Sequence, residues 1–340
     1  MIKKIFFIGA APLNSMNGDS MEAHIINGFK TLGIEINYFP IFKGGIRDRI
    51  NKYIELASTD YHLLRTTPLE KSLIKAAKAF KPDLVFVLLG NYTTPSMINK
   101  IRDATSAPAA CWCQDHMGTM GRQYILGSKF DYVFAKDQFM VDLFQQYTNI
   151  PQVHYLAEAC NPRVHTPVAP NKVDLQKYEC EVTTAATLYY YRSEILETLT
   201  NYDMRIWGPI PRFYNGILRK FSTGKSVYTR DKSACFNSSK IVINSLFPME
   251  FGGLNARAFE IAGCGGFQLI SHSDAISKHF IPGKEIETFV DLKDLKDKVT
   301  YYLNHEDERK SIAEAGRIRA HKEHTYEIRL KQLLDTINTE

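Results

Sequence analysis

FGGLNARAFEIAGCGGFQLI, residues Phe251 to Ile270, joins a glycine pair, a polar helix start, one carboxylate inside an apolar run, and a strand. Gly252 and Gly253 let the backbone approach a ligand closely. A helix beginning near Leu254 aims its free N–H groups and the positive end of its dipole at an anion. One turn further on, Glu260 lies among Ala258, Phe259, Ile261 and Ala262, where a carboxylate needs a partner such as a sugar hydroxyl or Arg257. Gly263, Gly265 and Gly266 end the helix and open a strand over Phe267 to Ile270. An ordinary helix-to-strand turn has the same grammar, so the surrounding chain has to decide between a turn and a site.

The 340 residues exceed what one core comfortably supports, so two domains of roughly 150 to 170 residues are expected. Hydrophobic residues at 44% and charged residues at 23% match a soluble globular protein. The net charge of +5 is scattered along the chain, which favours anionic ligands or a membrane surface only weakly and argues against nucleic acid. Cys111, Cys113, Cys160, Cys180, Cys235 and Cys264 lack CxxC pairing and sit mostly in apolar segments, which points to buried thiols of a cytoplasmic protein and away from a zinc site. Pro12 interrupts the apolar run after Lys3 and Lys4, so the amino terminus reads as a strand and not as a signal peptide; no run reaches the roughly 18 apolar residues a membrane span needs.

Ile2 to Ile8, the loop Gly9 to Ser20, the periodic Met21 to Leu32 and Ile34 to Phe39 make a parallel βαβ start without GxGxxG. Gly18 and Asp19 fall at the carboxyl end of the first strand, where ligands of open α/β sheets bind, and Asp19 or Ser20 serves equally as an N-cap. Ile46 to Phe80 reads as packing helices. Leu84 to Leu89 is a doubly buried strand, Gly90-Asn91-Tyr92 leads into the helix Pro95 to Arg102, and Ala109 to Cys113 delivers Gln114, Asp115 and His116. Asp115 and His116 suit proton transfer or the holding of a sugar hydroxyl. Asn161 to Asn171, with Pro162, Pro167 and Pro170, reads as a linker. Beyond it Cys180 to Thr187, Arg192 to Leu199 and Met204 to Trp207 repeat the βαβ pattern, and Arg192 stands at a helix start that suits either a surface arginine or a guanidinium meeting a phosphate between strand ends. STGKS, residues 222 to 226, resembles a P-loop end, but Arg219 occupies the position of the required glycine. Val227 to Thr229 reads as a short strand, and Thr325 to Ile337 as an amphipathic closing helix.

NARAFEIAGCGGFQLIS, the following PGKEIETFVDLKDLKDKVTYYLNHEDERKSIAEAGRIRAHKEHTYEIRLKQLL, and the first-half segments KPDLVFVLLGN, APAACWCQDH, FDYVFAKD and HYLAEACNP resemble the CgeB-like (spore-maturation type) branch of the GT-B glycosyltransferases. The resemblance implies two Rossmann-like domains facing across a cleft: an acceptor domain over residues 1–160, a linker over 161–172, a nucleotide-sugar donor domain over 173–322, and a final helix in 323–340 packing back on the first domain. It implies transfer of a hexosyl group from a nucleoside diphosphate sugar to an acceptor hydroxyl of a glycan, lipid-linked or small molecule, without cofactor or metal, in the cytoplasm or against the inner face of the membrane. By position, Glu260 matches the carboxylate that binds ribose, Arg192 the basic residue near the diphosphate, and Asn255 and Arg257 the Asn-x-Arg element; Gly252, Gly253 and Leu254 meet the diphosphate through the backbone. Related retaining enzymes carry Glu-x7-Glu, whereas here Gly252 lies eight residues before Glu260 and Glu250 is the nearest earlier carboxylate. An inverting reaction draws its base from Asp19, Asp115 or His116. The rival readings are a non-catalytic carbohydrate-binding or assembly protein and a nucleotide-sugar epimerase on the same fold.

Overall fold

The computed structural model describes residues 1–10, 12–42, 45–88, 93–116, 118, 123–250 and 252–339. Phe251 of the opening stretch, Leu89 of the expected third strand and the turn Gly90-Asn91-Tyr92 lie outside them. The chain forms two compact units, Met1–Ala157 with Glu327–Glu340, and Glu158–Tyr326.

In the first unit, β1 (Lys4–Gly9), α1 (Met21–Thr31), β2 (Glu35–Pro40), α2 (Ile46–Tyr61), α3 (Pro68–Phe80), β3 (Leu84–Leu88), α4 (Pro95–Thr105), β4 (Ala109–Cys113), β5 (Tyr132–Ala135), α5 (Gln138–Tyr147) and β6 (Gln152–Tyr155) follow one another. The strands make a parallel sheet in the order β2-β1-β3-β4-β5-β6. Four of the helix starts are written in the sequence: Ser20 caps α1, Thr67 closes a capping box with Glu70 ahead of Pro68, Thr94 precedes Pro95, and Asp137 accepts from the Phe139 N–H. Strands β3 and β4 are buried on both faces, as their unbroken apolar runs require.

In the second unit, α6 (Lys172–Tyr178), β7 (Cys180–Ala185), α7 (Tyr190–Glu197), β8 (Met204–Trp207), α8 (Thr229–Ser238), β9 (Ser239–Asn244), α9 (Ala256–Gly263), β10 (Gln268–Ser271), β11 (Glu287–Phe289), α10 (Leu292–Asn304) and α11 (Glu306–Glu323) build a second parallel sheet, ordered β11-β10-β9-β7-β8. The closing helix α12 (Tyr326–Thr339) begins at the unit boundary. The strand order reverses between β7 and β9, and in open α/β sheets such a reversal leaves a crevice at the carboxyl ends of the two strands.

Three local readings change. The expected strand Val227 to Thr229 is a loop entering α8, because the edge position beside β8 is met only by the bridge Ile206–Ser222 and Val227 is buried as a core side chain instead. That bridge also places STGKS along the sheet edge. Residues 161–171 hydrogen-bond within the second unit: the Ser233 hydroxyl donates to the Val164 carbonyl and the Val168 N–H to Asn237 Oδ1. Asn171 then opens α6 through a capping box with Asp174, whose carboxyl Arg230 holds down to about 2 through a bidentate pair.

Candidate active site

Helix α9 starts at Ala256, two residues later than expected, because Asn255 stays extended and takes the N-cap role that its short amide favours over Leu254. Asn255 Oδ1 accepts the Ala258 N–H at 3.1 Å, and its amide exchanges two 3.1 Å bonds with Asn244 at the end of β9. Asn244 also donates to Gln268 Oε1 on β10 at 2.8 Å, and Gln268 returns a 3.0 Å bond to the Ala258 carbonyl. The helix start is thereby tied to two strand ends, so its N–H groups point from a fixed place. At the other end Gly265, with φ +75, completes a Schellman cap: Gly266 N–H reaches the Ile261 carbonyl and Gly265 N–H that of Ala262. The expected glycine stop is realised at this point.

Arg192, on the first turn of α7, is buried and aimed at the same place. Its Nε donates to the Ser245 hydroxyl at 2.8 Å, its Nη1 to the Thr187 carbonyl, and its Nη2 to the Tyr191 hydroxyl at 3.2 Å. Ser245 directly follows β9 and Thr187 follows β7, so Arg192 spans the two strands at the reversal of strand order. Arg257 enters from the first turn of α9. Its Nη1 is buried and has no hydrogen-bond partner among the described residues. Burial pushes its guanidinium down to about 10, Arg192 pushes the same way, and Glu260, Tyr191 and Glu250 pull against them. Two cations thus share one end of the sheet, one of them with donors unused. This is the charge pattern of an anion site.

Glu260 takes partners other than the expected Arg257. Its Oε2 accepts from Lys232 Nζ on α8 at 3.1 Å, and its Oε1 lies 3.7 Å from His165 Nε2. His165 Nδ1 accepts the Asn161 N–H at 3.0 Å, which puts the proton of the neutral ring on Nε2, facing the carboxylate. Lys232 and His165 are partners of Glu260 that the sequence reading missed; only the apolar setting of Glu260, which demanded some partner, hinted at them. Glu250 is buried and its Oε2 accepts the Phe247 N–H at 3.0 Å, closing its own turn. Gly253 and Leu254 are buried beside the helix start and Gly252 is half-buried.

The three proton-transfer candidates lie in the first unit. Asp19 follows β1 and is buried, with Oδ1 3.0 Å from Nε2 of His24 on α1; Ser20 takes the N-cap. Asp115 is exposed after β4. His116 is buried, stacks on Phe139 and accepts the Gly118 N–H on Nδ1 at 3.0 Å, so its neutral ring carries the proton on Nε2.

A model of glycosyl transferase-like proteins matches residues 192–335, the span that holds Arg192, Lys232, Arg257 and Glu260. Spore protein CgeB of Bacillus subtilis (strain 168) is 22% identical over 310 residues, 84% of this chain and 92% of that protein. Among solved structures, Anabaena Alr3699/HepE in complex with UDP-glucose superposes with TM-score 0.70 at 12% identity, over 99% of this chain and 100% of that one. TarM gives 0.68 at 10% identity over 98% of each chain, and the sucrose-phosphate synthase of Thermosynechococcus elongatus 0.66 at 11% over 99% of each. The chain therefore has the GT-B fold, with a glycosyltransferase-like second half and a CgeB-like sequence along most of its length.

Proposed function

We propose that the protein is a glycosyltransferase that moves a hexosyl group from a nucleoside diphosphate sugar to an acceptor hydroxyl. The observation that carries this reading is Arg257 Nη1, buried and without a hydrogen-bond partner among the described residues, next to Arg192 at the reversal of strand order. As the sugar–phosphate bond breaks, the leaving diphosphate gains negative charge; two fixed guanidiniums and the amino end of α9 stabilise that charge without reorganising. Glu260, held by Lys232 and His165, presents its carboxylate to ribose hydroxyls, and Gly252 to Leu254 let the backbone approach the diphosphate. No metal enters this scheme, because the two arginines supply the countercharge. The complex of Alr3699/HepE with UDP-glucose supports a UDP-linked donor. The work is placed in the cytoplasm, with a glycan, a lipid-linked sugar or a small molecule as acceptor.

For an inverting reaction, Asp19 with His24 is the favoured base. A buried carboxylate that orients an imidazole is a general-base arrangement, whereas the Nδ1 lone pair of His116 is already taken. A second reading rests on Glu250, whose carboxylate turns into its own loop: a protein that binds the donor and an acceptor glycan without turnover. A thermal-shift screen against UDP, GDP, dTDP, CMP and ADP tests donor binding, and one diphosphate is expected to raise the melting temperature. Product analysis with and without acceptor then separates transfer from donor binding alone and from epimerisation. No shift with any nucleotide at saturating concentration rules out the donor site.

A further inference from the structure

Residues 204 to 230 hold six Lys and Arg and no Asp or Glu, in a chain that as a whole balances 42 basic against 37 acidic side chains. The run carries β8 into α8. Two of the six cations are already engaged: Arg205 is half-buried and donates to the Gln176 carbonyl at 3.4 Å, and Arg230 is held by Asp174. The other four, Arg212, Arg219, Lys220 and Lys225, are exposed, and none has a carboxylate within ion-pair reach among the described residues. Glu197 on α7 does touch this loop, but it accepts from the Tyr214 hydroxyl at 3.1 Å. Cations clustered without countercharge attract an anion from solution. Large apolar side chains stand in the same place: Phe213 is 88% exposed, Tyr190 82% and Ile217 47%. The Phe213 ring is held out from a braced loop. Pro209 and Pro211 stiffen the approach to it, the Arg212 guanidinium lies 5.5 Å from its centroid, and Arg219 Nη1 donates to the Tyr214 carbonyl at 2.6 Å. The loop is fixed to the start of α7, because the Leu188 N–H donates to the Pro209 carbonyl at 2.9 Å and Gly208, with φ +127, packs so closely that a Cβ would stand 2.3 Å from the Ala186 carbonyl oxygen. Tyr190 and Phe213 thus project from two segments joined beside Thr187, whose carbonyl takes Arg192.

We propose that this face of the second unit binds an anionic glycan, a chain of sugars that bear carboxylates or phosphates. Each half of the pattern matches one half of that ligand. A pyranose ring has an apolar C–H face that stacks on Phe213 or Tyr190 while its hydroxyls stay wet. Its carboxylates or phosphates take paired N–H bonds from the Arg212 and Arg219 guanidiniums, and Lys220 and Lys225 act as point charges. A neutral glycan would use the rings and leave the four cations idle. A lipid surface asks for a continuous apolar face, whereas here Asn215, Gly216 and the cations interrupt the apolar side chains, and Ile217–Lys220 is a single turn. The place of the face, fixed to the segment that carries Arg192, favours a molecule on which the same unit acts. That last step rests on the transferase reading above, which makes the glycan the acceptor chain.

Affinity electrophoresis of the full chain through gels holding polygalacturonate, phosphomannan or neutral dextran tests it. At least one acidic glycan is expected to retard the protein, less so as salt is raised, and dextran is expected to leave it unretarded. Arg212→Glu combined with Lys220→Glu changes only exposed positions and is expected to raise Kd for the acidic glycan about tenfold or more. Phe213→Ala is expected to raise it about fivefold at unchanged salt dependence, because a stacking ring is lost and no charge. The variants are expected to melt with the wild type and to keep its UDP-induced rise in melting temperature, which separates this face from the donor site. Equal retardation of wild type and the double variant overturns the proposal, and so does tighter binding to an oligothymidylate or to phosphatidylglycerol vesicles than to either acidic glycan. A UDP response with no retardation by either acidic glycan overturns the face alone. Retardation that the double variant abolishes, without any UDP response, supports the face and overturns the donor reading.

Discussion

Arg257 holds a charge that burial disfavours, and it does so beside a second arginine. A residue kept under those conditions has opposite effects on stability and binding when it is removed. Arg257→Met is expected to leave the unliganded protein as stable or up to about 1–3 kcal/mol more stable by urea unfolding, because one of two repelling cations is gone. The same substitution is expected to remove most of the nucleotide-induced rise in melting temperature. A large loss of stability with nucleotide binding retained would mean that Arg257 is structural. Lys232 behaves the other way: Lys232→Met leaves the Glu260 carboxylate without its cation and is expected to cost about 3 kcal/mol, much of it recovered in Lys232→Met/Glu260→Gln. If Asp19 and His24 supply the base, Asp19→Asn lowers kcat by about a hundredfold or more with the donor KM nearly unchanged. An unchanged kcat points to a retaining reaction, in which the leaving phosphate takes the proton.

At the scale of elements, α9 and α2 each carry a measurable consequence. The amino end of α9 depends on Asn255, which caps the helix and binds Asn244, so Asn255→Ala is expected to cost about 1–2 kcal/mol and to weaken nucleotide binding, as read by calorimetry. Helix α2 carries a pH signature. Burial is the main reason the Glu55 carboxyl is pushed up to about 7; Glu70 adds to it, and Thr67, Lys100 and the Leu69 N–H oppose it. The folded-state value lies above the unfolded one, so the group is neutral and harmless below about pH 4.5 and destabilises the fold increasingly as pH rises towards 7. The full effect is up to about 3 kcal/mol. Glu55→Gln is therefore expected to melt higher than wild type at pH 8 and no higher at pH 4.5, with slower amide exchange over α2 in the variant at the higher pH. Much of the element pattern could be read from the sequence: β4 and β8 begin and end where the apolar runs place them. Helix α6 could not, because its seven residues are too short for a periodic signal, and only the Asn171 capping box marked it.

For the whole molecule, two compact units with separate sheets mean that the proposed nucleotide ligand is expected to stabilise one of them directly. At one hundred times Kd the gain is about 2.7 kcal/mol, and hydrogen exchange is expected to slow around residues 187–193 and 245–260 of the second unit. The sequence by itself determined the α/β class, the doubled βαβ rhythm, the glycine stop after α9, and the presence of a cation and a carboxylate near that helix. Those features depend on periodicity and turn chemistry between residues a few positions apart, which a linear reading can follow. The tertiary structure decided the pairing: Ser245 for Arg192, Lys232 and His165 for Glu260, and, among the described residues, no partner for Arg257 Nη1. Each of these joins or exposes side chains through the order in which strands and helices pack, and that order brings residues far apart in sequence, such as His165, Lys232 and Glu260, to within hydrogen-bonding and ion-pair reach.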